Sequence, residues 1–174
     1  MTSVTGKDEY ALPKELSVSF TGHRADKLPW GANERDERAE AFKKRLEREV
    51  LKAYKQGARY FLSGMADGVD LIAAETVLRL RAVCPGMELV AVFPFGTGDT
   101  ARKRAAAKRA EKVVSLHKSY VTGCYQERNR FLTDHSVRMI CGFGGDMSSG
   151  TGQTMLMARK SGLDLVIIDL QYEE

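Results

Sequence analysis

Short continuous apolar runs alternate along the chain with longer stretches in which apolar positions recur every three or four residues. "LSVSF" (Leu16–Phe20) is the first run and closes on Thr21-Gly22. From Asn33 to Gln56 the period lengthens: Phe42, Leu46, Val50 and Tyr54 are evenly spaced, and Gly57 stands where a C-terminal cap belongs. "YFLS" (Tyr60–Ser63) predicts a second strand, followed by a helix reaching Leu80. "ELVAVF" (Glu88–Phe93) predicts a third strand, stopped by Pro94, and Asp99 opens an alanine-rich basic helix running to Lys112. "VVSL" (Val113–Leu116) is a weaker strand, Tyr125–His135 a helix, "RMICGF" (Arg138–Phe143) a strand, Thr151–Lys160 a helix ended by Gly162, and "DLVIIDL" (Asp164–Leu170) the last strand. Strands that are apolar throughout belong in a sheet covered on both faces. Repeated strand–helix units make it parallel, so the expected fold is α/β: a three-layer Rossmann-like domain with a mainly parallel sheet of about six strands. Residues 1–15 hold no such pattern and read as a flexible N-terminal tail, leaving residues 16–174 as a single ligand-binding domain.

Composition narrows the class. The chain has 174 residues, 43% apolar and 29% charged, as expected of one globular domain that needs no metal or disulfide to fold. Cys84, Cys124 and Cys141 are widely spaced and form no metal-ligand pattern, so reduced thiols in a cytoplasmic protein are expected, with no metal site. The N-terminus lacks the apolar core of a signal peptide, and no segment has the length of a membrane span. A net charge of +4 points toward anionic ligands without establishing nucleic acid as a partner. Homo-oligomerisation is left open.

In open α/β sheets, ligands bind beyond the carboxyl ends of the strands. Three of these ends carry candidate residues. "TGHR" supplies Gly22, His23 and Arg24; "SGMADGVD" supplies Ser63, Gly64, Gly68 and Asp70; "GFGGDMSSGTGQT" supplies Gly144, Gly145, Gly150, Thr151 and Thr154. Glycine at a strand end lets the backbone approach a ligand, and the unpaired amides of the next helix attract phosphate or carboxylate. Asp67 and Asp70 fit that picture less simply. Either they cap the helix, or Asp70 accepts a hydrogen bond from a ribose hydroxyl. Gly64 and Gly68 fit close helix–strand packing equally well. The third cluster is the strongest: glycines and hydroxyls gather at a helix start as in an anion-binding nest. It is neither a Walker A loop, lacking GK[ST], nor the dinucleotide fingerprint, since Met147 occupies the third glycine position.

Charged residues extend the candidate set. Arg24 suits bidentate phosphate binding, and "QERNR" places Arg128 and Asn129 near a helix N-terminus. Against this stand a surface arginine, a capping histidine and ordinary helix solvation. In "ARKRAAAKRAEK" the bland reading is a solvated helix with Ala105, Ala106 and Ala110 toward the sheet. The alternative is contact with a phosphate backbone, weakened by the lack of interleaved aromatic residues.

Taken together, "TGHR…LP", "SGMADGVDLIAAE", "PF", "GCYQERNRFLTDHS" and "GTGQT…A…SG" resemble the YpsA-like branch of the SLOG superfamily, from about Val18 to Ile168. That resemblance implies a Rossmann-like fold and a nucleotide-derived ligand such as ADP-ribose or a nucleoside phosphate, in a sensing or regulatory role. The superfamily also holds DprA, which binds single-stranded DNA, and the LOG phosphoribohydrolases. Against the LOG pattern, Arg128-Asn129 resembles the arginine–lysine pair, Gly144-Gly145 and Gly150-Thr151 resemble its glycine and glycine–threonine pairs, and Thr154 stands at the catalytic glutamate. Threonine cannot act as the carboxylate at an oxocarbenium-like centre. LOG-type hydrolysis is therefore not expected unless Glu75, Asp70 or Glu127 takes that part, and no catalytic residue is assigned. N-glycosidase activity and DprA-like nucleic-acid binding remain the alternatives. The expected site has Gly144, Gly145, Gly150 and Thr151 on a phosphate, Arg24 or Arg128 adding charge, and Ser63, Gly64 and Asp70 on the sugar or base.

Overall fold

The computed structural model describes residues 3–171. Seven strands are formed among these: β1 (Val4–Thr5), β2 (Ser17–Gly22), β3 (Tyr60–Ser63), β4 (Glu88–Phe93), β5 (Lys112–Ser115), β6 (Arg138–Phe143) and β7 (Asp164–Asp169). They build one parallel sheet in the order β1-β5-β4-β3-β2-β6-β7. Helices α1 (Glu37–Lys55), α2 (Val69–Leu80), α3 (Ala101–Arg109), α4 (Cys124–Asp134) and α5 (Gly150–Lys160) fill the connections between β2 and β7. The fold is the expected three-layer Rossmann-like one.

The strands bury both faces because their side chains alternate between two helix layers. Phe61, Leu89, Ala91, Val113 and Ile140 pack with α1, α2 and α3. Leu62, Val90, Val92 and Val114 meet Phe131 and Leu132 of α4, and Met139 and Cys141 meet Met155 and Ala158 of α5. Each fully buried aliphatic or aromatic side chain contributes about 1.5–3 kcal/mol. The central strand departs from the apolar rule on one face. Ser17, Ser19 and Thr21 turn toward α4 and α5, where Ser19 bonds Ser136 at 2.8 Å and Ser136 in turn donates to the Leu132 carbonyl. Small hydroxyls there let both helices approach the strand without leaving a polar group unpaired.

Helix α1 starts on Asp36, whose carboxylate accepts the Arg38 amide at 2.8 Å, and stops before Gly57 at φ 109°. In α3, Thr100 is the cap, and the alanines that turn inward are Ala106 and Ala107, followed by Ala110 just beyond the helix. Ala105 is exposed, contrary to the sequence expectation: at 3.6 residues per turn Ala106 and Ala107, four and three residues before Ala110, share its inward face, and Ala105 turns to solvent.

The seventh strand comes from the segment read as a tail. Val4–Thr5 pairs with Val113 and Val114, and Tyr10 is buried against Phe131 and His135. Two paired residues and one aromatic anchor give no periodicity for a sequence reading to find.

Chain order reverses at β2: β3, β4 and β5 extend to one side and β6 and β7 to the other. This is the switch point at which such sheets open a crevice. The two strands meeting there end in facing glycines, Gly22 opposite Gly142. A Cβ on Gly22 would lie 2.3 Å from the Cβ of Val69, and one on Gly142 would lie 2.8 Å from Val69 Cγ2. The pair forms a seat for the first residue of α2. Gly22→Ala is therefore expected to cost about 1–3 kcal/mol through overpacking, with Val69→Gly in the same chain, which removes the clashing Cβ, recovering part of it. Urea denaturation of both single variants and the double variant measures the coupling, and strictly additive losses would refute the seat.

Candidate functional site

Three turns converge on the crevice. After β2 the chain runs through His23 and Arg24. After β3 it turns sharply through Gly64–Gly68. After β6 it makes the glycine-rich loop Gly144–Ser149 before entering α5.

The β3 turn is the tightest. Met65, at φ 61°, is the only non-glycine residue with positive φ among those described, and it is 1% exposed. Such a conformation persists only where surrounding contacts impose it. Here the Ser63 hydroxyl accepts the Met65 amide at 3.1 Å and donates to the Asp70 carbonyl at 2.7 Å. Ser63 is wholly buried, so its hydroxyl holds the turn together. Gly68 has φ 98°, and a Cβ there would lie 2.5 Å from the His23 carbonyl, which accepts the Val69 amide at 3.2 Å. Gly68 is thus needed for the β2 and β3 turns to touch.

The capping expectation for Asp67 fails. Gly68 occupies the cap position of α2 with no side-chain cap bond, and Asp67 lies 3.8 Å from Lys103. Asp70, one residue inside the helix, sends its carboxylate back to the Ala66 amide. It is buried, and burial pushes its carboxyl above the ordinary 3.8, opposed first by the charge of Arg128. Arg128 is 5% exposed. Its guanidinium donates to the Gly64 carbonyl and, at 2.9 Å, to Asn129 Oδ1. A Cβ on Gly64 would lie 2.8 Å from that guanidinium, so Gly64 makes the room Arg128 occupies.

His23 joins the first turn to the third. Its Nε2 accepts the Gly144 amide at 3.0 Å, and its Nδ1 lies 3.4 Å from the Thr151 hydroxyl. An amide can only donate, so Nε2 carries a lone pair and the neutral ring holds its proton on Nδ1. Burial, with Lys27 nearby, lowers the His23 pKa from 6.5, against a smaller pull upward by Asp146. In the glycine loop, Asp146 accepts the Ser148 amide at 2.9 Å and the Ser148 hydroxyl at 2.6 Å. Ser149 caps α5 through the Gly152 amide at 3.0 Å. The amides of Gly150 and Thr151 donate to no acceptor among the described residues, as the geometry of a helix start dictates. Thr154 bonds back to the Gly150 carbonyl at 2.9 Å.

A cleft of about 620 Å³ lies between these turns. Gly22, His23, Arg24 and Asp70 line one side, Arg128 and Asn129 the next, and Gly150, Thr151 and Thr154 the α5 side. A second hollow of about 200 Å³ adjoins it and includes Gly64. Arg24, Ala66, Tyr125 and Arg128 line both. Ser63 and Gly68 line neither. Gly144 and Gly145, expected on the phosphate, also lie outside both: the Gly144 amide is taken by His23, and Gly145 is in open space at φ 105°. Of the carboxylates considered as substitutes for the LOG glutamate, only Asp70 is in the cleft. Glu75 is bound to Arg102 at 3.0 Å, and Glu127 is bound to His117 and Lys7. No group of three or more potential metal ligands occurs among the described residues.

A family model described as the YspA SLOG family (YpsA) matches residues 18–163. The chain belongs to this family. It is similar to a UPF0398 protein of Halalkalibacterium halodurans, 26% identical over 153 residues that cover 82% of this chain and 80% of the relative. It is also similar to a UPF0398 protein of Brevibacillus brevis, 28% identical over 132 residues that cover 71% of this chain and 69% of the relative. The match runs from β2 through α5, ending just before β7, and so includes every turn that forms the cleft of this YpsA-family chain.

Sequence reasoning missed an aromatic group beside the cleft. Phe95, Tyr120 and Tyr125 meet edge to face or tilted, with centroids 5.9, 6.2 and 6.3 Å apart, and the Arg24 guanidinium lies 5.2 Å from the centre of the Tyr125 ring. The signal was present in "PFG" at a strand end and in "GCY" at a helix start. No periodicity links them.

The clasp made by His23 should depend on pH. The folded value lies below 6.5, so the unfolded chain binds the proton more readily. The contribution to stability is complete above that ordinary value and is lost as pH falls through it toward the folded value. Urea midpoints between about pH 7.5 and 5 should drop less for His23→Gln, which keeps an acceptor without titrating, than for the natural chain. Equal drops would remove His23 as the cause.

Proposed function

We propose that the protein binds a nucleotide or nucleotide-derived small molecule, such as ADP-ribose or a nucleoside phosphate, in a sensing or regulatory role. The observation that carries this reading is the meeting, in one cleft at the switch point, of two amides at the start of α5 that have no partner among the described residues with the guanidinium groups of Arg24 and Arg128. Unpaired amides and arginines together suit phosphate oxygens, which accept from both and gain from the helix dipole. Asn129, Asp70 and the Thr151 hydroxyl add polar groups that fit a ribose.

The rival readings draw less support. Hydrolysis of an N-glycosidic bond needs a carboxylate where Thr154 is engaged with its own helix, and the acids that line the cleft are Asp26 and Asp70, on other turns. Binding along a nucleic-acid backbone would use the basic residues of α3. There Arg102 is held by Glu34 and Glu75, and Lys103 bonds Asp99 at 2.9 Å.

Isothermal titration with AMP and ADP-ribose tests the proposal. Arg24 is exposed in the cleft and makes no ion pair among the described residues, so Arg24→Ala removes charge without unfolding the chain. A charge-assisted hydrogen bond contributes about 1.5–3 kcal/mol, so binding should weaken roughly tenfold to hundredfold. Arg24→Lys should recover only part of it, because lysine lacks the planar fork. Arg104→Ala, outside both hollows, should have little effect. A larger loss with Arg104→Ala, or a steep salt dependence, would move the reading to nucleic acid.

Incubation of the same protein with AMP is expected to release no adenine. Release at roughly 1 per second or faster would make the protein an enzyme, with Asp26 and Asp70 the acids in the cleft to test.

A further inference from the structure

The hollow beside the cleft has a character the phosphate reading does not use. Its floor is the β3 turn at Gly64–Asp67, and its walls are the segment after β4 and the exposed face of Tyr125. Aromatic rings normally bury their faces, yet Tyr125 is 36% exposed and Tyr120, which supports it, is 60% exposed. The group is held in place from behind. The Gly96 amide donates to the His117 carbonyl at 2.8 Å, tying the β4 loop to the β5 loop, and Ser115 donates to the same carbonyl at 3.0 Å. Tyr125 stands in the first turn of α4, next to Cys124, which is fully buried. Its ring is therefore presented on a fixed backbone, with the Arg24 guanidinium against it.

We propose that this hollow is the seat of the planar heteroaromatic base of the nucleotide, stacked on Tyr125. The inference rests on the phosphate reading of the adjoining cleft. Three features select a base over other occupants. The hollow opens into the phosphate cleft through Arg24, Ala66 and Arg128, so one small molecule reaches both. At about 200 Å³ it is smaller than the roughly 300–1,000 Å³ that takes a whole ligand, and it suits the ring end of one whose remainder fills the larger cleft. Its rim carries Asp67 and Asp99, acceptors for the amino groups of a base, with Lys103 between them. Stacking on tyrosine with an arginine alongside favours any π-face and is tolerant of base identity.

The experiment compares AMP with ribose 5-phosphate, which keeps the sugar and phosphate and lacks the base. The natural chain should bind AMP roughly tenfold to hundredfold more tightly than ribose 5-phosphate. Tyr125→Ala should remove that difference and leave ribose 5-phosphate binding unchanged, whereas Tyr125→Phe, which keeps the ring, should preserve it. In saturation-transfer NMR the adenine protons should respond more strongly than the ribose protons. Equal affinity of the natural chain for both probes overturns the base seat and leaves the phosphate reading standing. Equal loss of both probes in Tyr125→Ala also overturns it, reducing Tyr125 to a support for Arg24. Binding of neither probe overturns both readings. A self-association broken by Tyr125→Ala, with AMP binding unchanged, assigns the patch to a second copy of the chain and overturns the base seat.

Discussion

The contact on which the structure depends is the insertion of Val69 between two glycine strand ends. Gly22 and Gly142 sit side by side on the central strands, and both lack the atom that would meet Val69. Because Val69 fits there, α2 begins directly over the switch point, and its amide reaches the His23 carbonyl. That draws the β3 turn against the β2 turn. His23, fixed in the same stretch, then accepts from Gly144 and holds the third turn. A cleft made of loops is thereby given the rigidity of packed core, which matters because ligand-binding geometry is lost when its support is loose.

A second consequence concerns charge. Asp70 and Arg128 are both withdrawn from water near the floor of the cleft, each influencing the other, with Arg24 adding positive charge from the mouth. Burial pushes the Asp70 carboxyl up and the Arg128 guanidinium down, but arginine keeps its proton in proteins, so the carboxyl is the group whose protonation burial can change. The arrangement leaves an electropositive entrance above a polar interior. Elsewhere some of the basic residues are paired: Arg102 bridges Glu34 and Glu75, Arg81 pairs with Glu111, and Lys7 pairs with Glu127. The overall charge of +4 is a weak guide to where an anion would go.

The fold was legible because its strands are apolar throughout and its helices carry regular stripes, signals that local sequence encodes directly. Strands β3, β4 and β6 run over the residues their patterns indicate. The site was legible at the level of strand ends and less so at the level of atoms. Gly22, Gly64 and Gly68 stand out at strand ends, but glycine looks the same in sequence whether its missing side chain makes room for a ligand, for Val69, for Arg128 or for another backbone. Ser63 and His23 posed the same ambiguity, since a hydroxyl or imidazole at a strand end does not declare that its hydrogen bonds are internal. The positive φ of Met65 and the grouping of Phe95, Tyr120 and Tyr125 depend on contacts between distant segments, and no local pattern encodes them.

Strand β1 gives the chain a protected flank. A parallel sheet ends in a row of open amides and carbonyls that can template another chain, and β5, with Val113 and Val114, would present such a row. Val4–Thr5 covers those two residues, Tyr10 anchors the segment on α4, and Lys7 fastens it electrostatically to Glu127. Among the described residues the opposite border has no such cover: β7 exposes Ile167 at 47%, with the charges of Asp164 and Asp169 at its two ends. The two margins of the sheet thus resist edge-to-edge aggregation by different means, one by an added strand and the other by terminal carboxylates.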